Sequence, residues 1–540
     1  MILAAVPASA QGAPPGSAEA SYVRARAAQA RGEPEVAARN FAQALAAKPA
    51  DQGLASEALR QAMQAGDWTL TRAAAGTLDK AAALPADGLL WSLSDAAERN
   101  DWRAARSAAE RIEANGTFPF LLPMIRAWIA FAARDGDPLA FLANAPDAAA
   151  ESYWSEHRAL LLLALKRDAP GAAAITAVSG GAGGRAMRIK LAGAARLAQL
   201  GERKLAADLL TGDDEPLAAG RRLLVARKAI PGAVDTMADG IAELFVRFAV
   251  DLQRERVTPL ALSLARLATY MAPHNSETWL VTSELLAADN QFAPAIDALA
   301  HVGGDDPFAG AALGQRAQLL VRIGDPAAAL AQARGAAERP GAGVTDFVRY
   351  GDLLGEAKRH AEAAPVYARA IAMREAGAPG PELWLLHLQR GAALEEADAW
   401  PQARASLEAA YRIAPTEPQV LNYLGYAQLE RRENLDAAEA LIREASRLAP
   451  DDPSITDSLG WALFRRGKVA EAVATLERAS AADPRQAAIG EHLGDAYWGA
   501  GRRVDARYAW SAALLQADAE EATRLQAKLD NGYSAAVAAP

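Results

Sequence analysis

The residues of this chain that could do chemistry are few and widely spread. Six histidines (His157, His274, His301, His360, His387 and His492) fall without a His-Glu-x-x-His spacing or any other metal-ligand pattern. The densest polar set near the C-terminus is Glu491, His492 and Asp495, with Asp457 one repeat length upstream. Such a set could coordinate a hard cation, although carboxylates on one helix are more often a solvated face. Asp457 and Glu491 could instead work as a pair, since glycoside hydrolysis needs carboxyl groups about 5–5.5 or 6.5–9.5 Å apart. Packed helices stand about 8–10 Å apart, which leaves that geometry open. An open groove, however, lacks the water-excluding pocket that shifts a catalytic pKa. The glycine run from Ser179 to Gly184 ends in Arg185, not Lys-Ser/Thr, and follows no strand, so it is not a phosphate loop. No Gly-x-Ser-x-Gly elbow occurs. Cysteine is absent, which removes disulfides, thiolate metal sites, cysteine nucleophiles and cysteine-borne lipid anchors. The expectation is no catalytic, cofactor-binding or metal site.

The elements that would position any site are helices. Hydrophobic types make up 51% of the 540 residues but aromatics only 6%, because alanine supplies much of the apolar count. Alanine is the best helix former and lets backbones approach closely. Valine, isoleucine and threonine are too sparse for a β protein of this length. The chain also exceeds the size at which one compact core keeps growing, so it needs several domains or a repeat array. With 57 Lys+Arg against 66 Asp+Glu the formal charge is -9, which disfavours general binding to nucleic-acid backbones. No stretch is apolar for the roughly 18 residues of a membrane-spanning helix.

The period is read from spacing. Leu424-Gly425, Leu459-Gly460 and Leu493-Gly494 recur 35 and then 34 residues apart. Each pair precedes a second helix with alanines in fixed register: Ala438 and Ala445, Ala472 and Ala479, Ala506 and Ala513. Pro415, Pro450 and Pro484 close successive second helices. Gly391 extends the frame upstream, as do Gly351, Ala317 and Ser283. Gly32 and Gly66 share the period near the N-terminus, and so do Trp68 and Trp102. The turn aromatics Trp68, Trp102, Phe292 and Trp400 hold one repeat position and read as packing.

This pattern resembles the tetratricopeptide repeat family. The resemblance implies an all-α, right-handed superhelical α-solenoid of helix-turn-helix repeats, roughly 12 to 14 pairs by the period. Residues 1–16 read as an export-signal remnant and linker, on Ala8-Ser9-Ala10 and the Pro/Gly-rich spacer after it. Residues 17–118 form N-terminal repeats, 119–250 divergent helical repeats, 251–516 the C-terminal array, and 517–540 a capping helix and tail. Breaks are expected at the glycine run 179–184 and at 229–234.

In the family, first helices line a concave groove and residues one turn apart touch the ligand. Carried onto this sequence, the partner-binding set is Asn422, Tyr426, Asp457, Trp461, Phe464, Glu491, Asp495 and Trp498. The aromatics would anchor a partner and the carboxylates would favour a basic one. The mode that grips a C-terminal carboxylate with lysine and asparagine is disfavoured, because only Asn422 matches it. The resemblance thus implies a non-catalytic scaffold or adaptor for peptide or protein partners, exported to the periplasm, in envelope assembly or periplasmic proteolysis. The alternatives are a structural part of a polysaccharide secretion machine and a cytoplasmic location.

Overall fold

The structure, a computed structural model, describes residues 17–116, 118–144, 148–181, 183–212, 214–339, 342–376 and 382–534. The export-signal remnant at 1–16 lies outside the described residues, as do residues 377–380 of the inter-repeat loop. Every regular element among the described residues is helical. The chain divides into two compact units, Met1–Ala329 and Leu330–Pro540.

The first unit opens with three regular pairs. These are α1 (Ala18–Ala30) with α2 (Pro34–Ala47), α3 (Gln52–Ala65) with α4 (Trp68–Lys80), and α5 (Ala86–Glu98) with α6 (Trp102–Asn115). Then follow α7 (Leu122–Ala133), α8 (Ala148–Ala164), α9 (Asp168–Val178), α10 (Gly184–Leu200), α11 (Arg203–Leu209) and α12 (Glu215–Val225). α13 (Met237–Arg254), α14 (Thr258–Met271), α15 (Ser276–Ala288), α16 (Phe292–Leu299) and α17 (Ala309–Arg322) complete it, and α18 (Pro326–Glu338) spans the division. Aspartates cap several starts: the side chains of Asp51, Asp67 and Asp101 accept from backbone N–H groups of the next turn.

The first helix of almost every pair ends on a residue in the left-handed region. Gly32 (φ 70°), Gly66 (75°), Asn100 (53°) and Arg134 (53°) hold this place at steps of 34 residues. Lys166, Gly201, Arg256, Asn290, Gly324, Lys358, Asp398, Arg432, Gly467 and Gly501 continue the series to the C-terminus. Helix pairing therefore runs through the middle of the chain as well.

Unit one also folds back on itself. α13 and α14 pack on the first helices α3, α5 and α7 of the opening repeats, far earlier in the chain. Arg266 on α14 donates to the Gln64 carbonyl (3.2 Å), and Tyr270 donates to Asp95 (3.0 Å) while lying against Trp68 and Trp91. A Cβ at Gly240 would stand 2.0 Å from the Trp128 ring, so only glycine lets α13 seat on α7.

Unit two is a regular stack: α19 (Val344–Glu356) with α20 (His360–Ala376), α21 (Leu383–Glu396) with α22 (Trp400–Ile413), and α23 (Pro418–Glu430) with α24 (Leu435–Leu448). α25 (Pro453–Arg465) with α26 (Val469–Ala482) and α27 (Ala487–Gly499) with α28 (Arg503–Leu514) follow, and α29 (Ala519–Asn531) is the last helix. The recurring glycine of the first helix faces the second helix of its own repeat. A Cβ at Gly460 would lie 2.5 Å from Leu476, and at Gly494 2.3 Å from Trp510. The small residue is thus set by helix-to-helix distance, and the adjacent buried leucine fills the core beside it.

Candidate functional site

The eight residues expected to bind a partner do form one continuous first-helix face across α23, α25 and α27. Their side chains are mostly inside it. Trp461 is fully buried; its indole donates to Glu430 (2.9 Å) and its ring stacks on His492 at 4.3 Å. Asp457 is buried and bonded to His492 Nδ1 (2.8 Å), leaving its Oδ1 without a hydrogen-bond partner. Asn422 and Tyr426 are half-buried, and Asn422 Oδ1 is also unpartnered. Burial pushes the Tyr426 phenol well above its ordinary range, with Glu430 and Asp457 adding to the shift.

Glu491 and Asp495 are taken up by the C-terminal helix. Arg524 forks onto Glu491 with two bonds of 2.8 Å. Lys528, fully buried, reaches Glu491 (2.6 Å) and both oxygens of Asp495 (2.7 and 2.8 Å). Trp510 donates to Asp495 as well (3.0 Å). Beyond α29 the chain turns over the remaining aromatics. Tyr533 meets Phe464 edge-on at 5.9 Å, and Gly532 lies so close to Trp498 that a Cβ would stand 2.2 Å from its ring. Arg503 covers the Trp498 ring at 3.9 Å. Of the carboxylates considered above for a cation or for paired acid–base work, Glu491 and Asp495 are therefore paired with this chain's own cations and Asp457 with His492. Among the described residues no group of three or more metal-ligating side chains forms a metal site.

Spacing alone does not single out Arg524, Lys528 or Tyr533, yet a signal is present. Lys528 lies 34 residues after Gly494, in the register held upstream by glycine. No second helix follows α29 among the described residues to collide with a side chain there, so a lysine can stand in that place and reach back to α27.

The electrostatics follow from burial and pairing. Burial opposes a charged His492, but the Asp457 carboxylate beside it prevails and raises its pKa above the usual imidazole value. For Glu491 burial is likewise outweighed, here by Arg524 and Lys528, so its pKa is lowered. Asp495 is raised because burial prevails over Lys528.

Unit one holds a second ionic cluster that sequence spacing did not show. Arg185, at the start of α10, bonds to Glu156, Glu243 (2.8 Å) and Glu277 (2.6 Å). Arg188 joins Glu243 through Nε (3.0 Å), and Asn275 donates to the same carboxylate (2.8 Å). Burial opposes ionisation of Glu243, but the two guanidiniums hold its pKa at about 2. Nearby His157 accepts from the Trp128 indole (3.0 Å), and burial drives its pKa to about 4. This network ties α8, α10, α13 and α15 together with every strong charge partnered, which is the arrangement of a structural core.

No family profile and no curated protein matches the sequence. Solved structures do. A tetratricopeptide repeat protein from Parabacteroides merdae is 16% identical over 47% of this chain and 97% of its own, with a TM-score of 0.40. The C-terminal part of a TPR repeat-containing protein from Cytophaga hutchinsonii is 18% identical over 45% of this chain and 97% of its own, at 0.31. YrrB, described as a TPR protein with an unusual peptide-binding site, is 17% identical over 36% of this chain and 97% of its own, at 0.27. On its own geometry each of the two units is an all-α array of helix-turn-helix repeats of tetratricopeptide type. The 34-residue step, the left-handed turns and the glycine-to-second-helix contacts define it. No helix among the described residues is long and apolar enough to cross a membrane.

Proposed function

We propose that this chain is a non-catalytic scaffold whose first-helix faces hold basic segments of partner proteins. One observation carries the reading: on α27 that face already grips a basic helix, with Lys528 and Arg524 paired to Glu491 and Asp495. The same face continues along α23, α21 and α19. Glu356, Glu396 and Glu430 stand five residues after Gly351, Gly391 and Gly425, forming an acidic line across three successive first helices. Glu430 is taken by Arg465 and Trp461, whereas Glu356 and Glu396 are exposed. Leu385, also exposed, gives an apolar contact on α21. A partner segment with lysines or arginines spaced to meet these carboxylates would lie along α19–α23.

The test is the affinity of Lys/Arg-rich and Asp/Glu-rich peptides for the full chain, compared with Glu356→Lys/Glu396→Lys. The reading expects basic peptides to be preferred and the double variant to bind them at least about tenfold more weakly, a loss of ~1.4 kcal/mol. Equal binding of acidic peptides, or no change in the variant, would refute it. The finer part of the proposal is an exported adaptor in envelope assembly or periplasmic proteolysis, which co-purification with a processing protease would support. For a polysaccharide-secretion role the aromatics would need open ring faces, and Trp461 offers none.

A further inference from the structure

The outer face of the last repeat carries an apolar stripe that the first-helix groove does not explain. Val504, Tyr508 and Leu515 are 65%, 74% and 82% exposed, placing all three among the five most exposed large apolar side chains of the described residues. Val504 and Tyr508 lie on one face of α28, and Leu515, the capping residue just past its end, continues the stripe with exposed Ser511 between them. The stripe is not a by-product of the repeat. One repeat earlier the same positions on α26 are Ala470, Ala474, Glu477 and Ala481.

Charge divides the two ends of the stripe. Exposed Arg503 and Arg507 flank its start, while exposed Asp518 and Glu520 follow its end. A second α28 laid antiparallel would bring Val504 of one copy over Leu515 of the other. Each Arg503 would then meet the turn bearing Asp518 and Glu520. Laid parallel, the same helices would oppose arginine to arginine. The face is self-complementary in one orientation only, which is the requirement of a two-fold interface.

We infer that a second copy of this chain docks on this face, α28 against α28 antiparallel. One helix face buries little area, so the dimer is weak, with a Kd on the order of micromolar. It leaves α19–α23 of each copy to the partner, so the scaffold would present its groove twice.

The chain has no cysteine, which makes the orientation directly readable. Val504 and Leu515 are about 16 Å apart along the helix. Full-length Val504→Cys mixed with full-length Leu515→Cys should give a disulfide-linked dimer under mild oxidation, and neither variant alone should do so. Sedimentation of wild type over roughly 1–100 µM should show a monomer–dimer equilibrium. Tyr508→Ser/Leu515→Gln should weaken it at least tenfold with unchanged helical circular dichroism. Arg503→Glu should also weaken it, and adding Glu520→Arg should restore it. A monomer throughout, crosslinking of either cysteine variant with itself, or a dimer indifferent to these substitutions would overturn the inference. The crosslinking arm stands even if the polar variants fold poorly.

Discussion

Lys528 is the residue on which the end of the array turns. It is buried between Glu491 and Asp495, and Arg524 forms an ion pair with Glu491 alone of the two. Lys528→Met would leave this buried pair of carboxylates one cation short, and breaking such a buried pair costs about 3–5 kcal/mol. Urea unfolding followed by circular dichroism should show that loss. Thr523→Lys, on the exposed side of the same helix, should change stability by no more than about 0.5 kcal/mol. The two buried imidazoles give opposite pH signs. The His492 pKa is raised, so its contribution is present below the ordinary imidazole value and fades as pH rises through the raised one. The His157 pKa is depressed to about 4, so its contribution is present above the ordinary value and is lost as pH falls toward 4. Denaturant melts at pH 4 to 9 on His492→Gln and His157→Gln should flatten the alkaline and the acid limb respectively. The site residues were legible in the sequence as a face, because register alone aligns them. Their burial was not: Trp461 and Asp457 are closed off by Glu430 and His492 of the neighbouring first helices, and Glu491, Asp495 and Phe464 by Arg524, Lys528 and Tyr533, which lie beyond the last recognisable repeat.

At the scale of the element, two backbone rules generate the array: a small residue where the first helix meets the second, and a left-handed residue at the turn between them. Gly460→Ala would place a methyl 2.5 Å from Leu476 and should cost about 1–3 kcal/mol by overpacking. The turn position behaves differently. Arg432 holds a left-handed φ of 53°, a conformation that strains any residue with a Cβ. Arg432→Gly should therefore stabilise unit two by about 1 kcal/mol, measured as a shift in the urea midpoint. The same substitution pattern explains where the repeat faded from view. Through the middle of the chain the turn is made by Arg134, Lys166 and Arg256, with Gly201 the one glycine holding that place. A reading keyed to glycine loses the period there although the backbone keeps it.

For the whole molecule, the lesson lies in what fills each first-helix face. In unit one the face of α3, α5 and α7 is covered by α13 and α14, a closure that spacing could not announce because its contacts join repeats that are not neighbours in the chain. Gly240 is the tightest point of that closure. Gly240→Val should destabilise unit one by more than a surface change can, since the Trp128 ring and the helix axis cannot both hold. In unit two α29 and Tyr533 cover α25 and α27, and the acidic line on α19, α21 and α23 continues from there. The most direct measurement is hydrogen–deuterium exchange of the full chain with and without a saturating Lys/Arg-rich peptide. Slowed exchange confined to α19, α21 and α23 is the predicted result. Protection of the second helices instead, or none anywhere at saturation, would contradict a scaffold that works through its first-helix face.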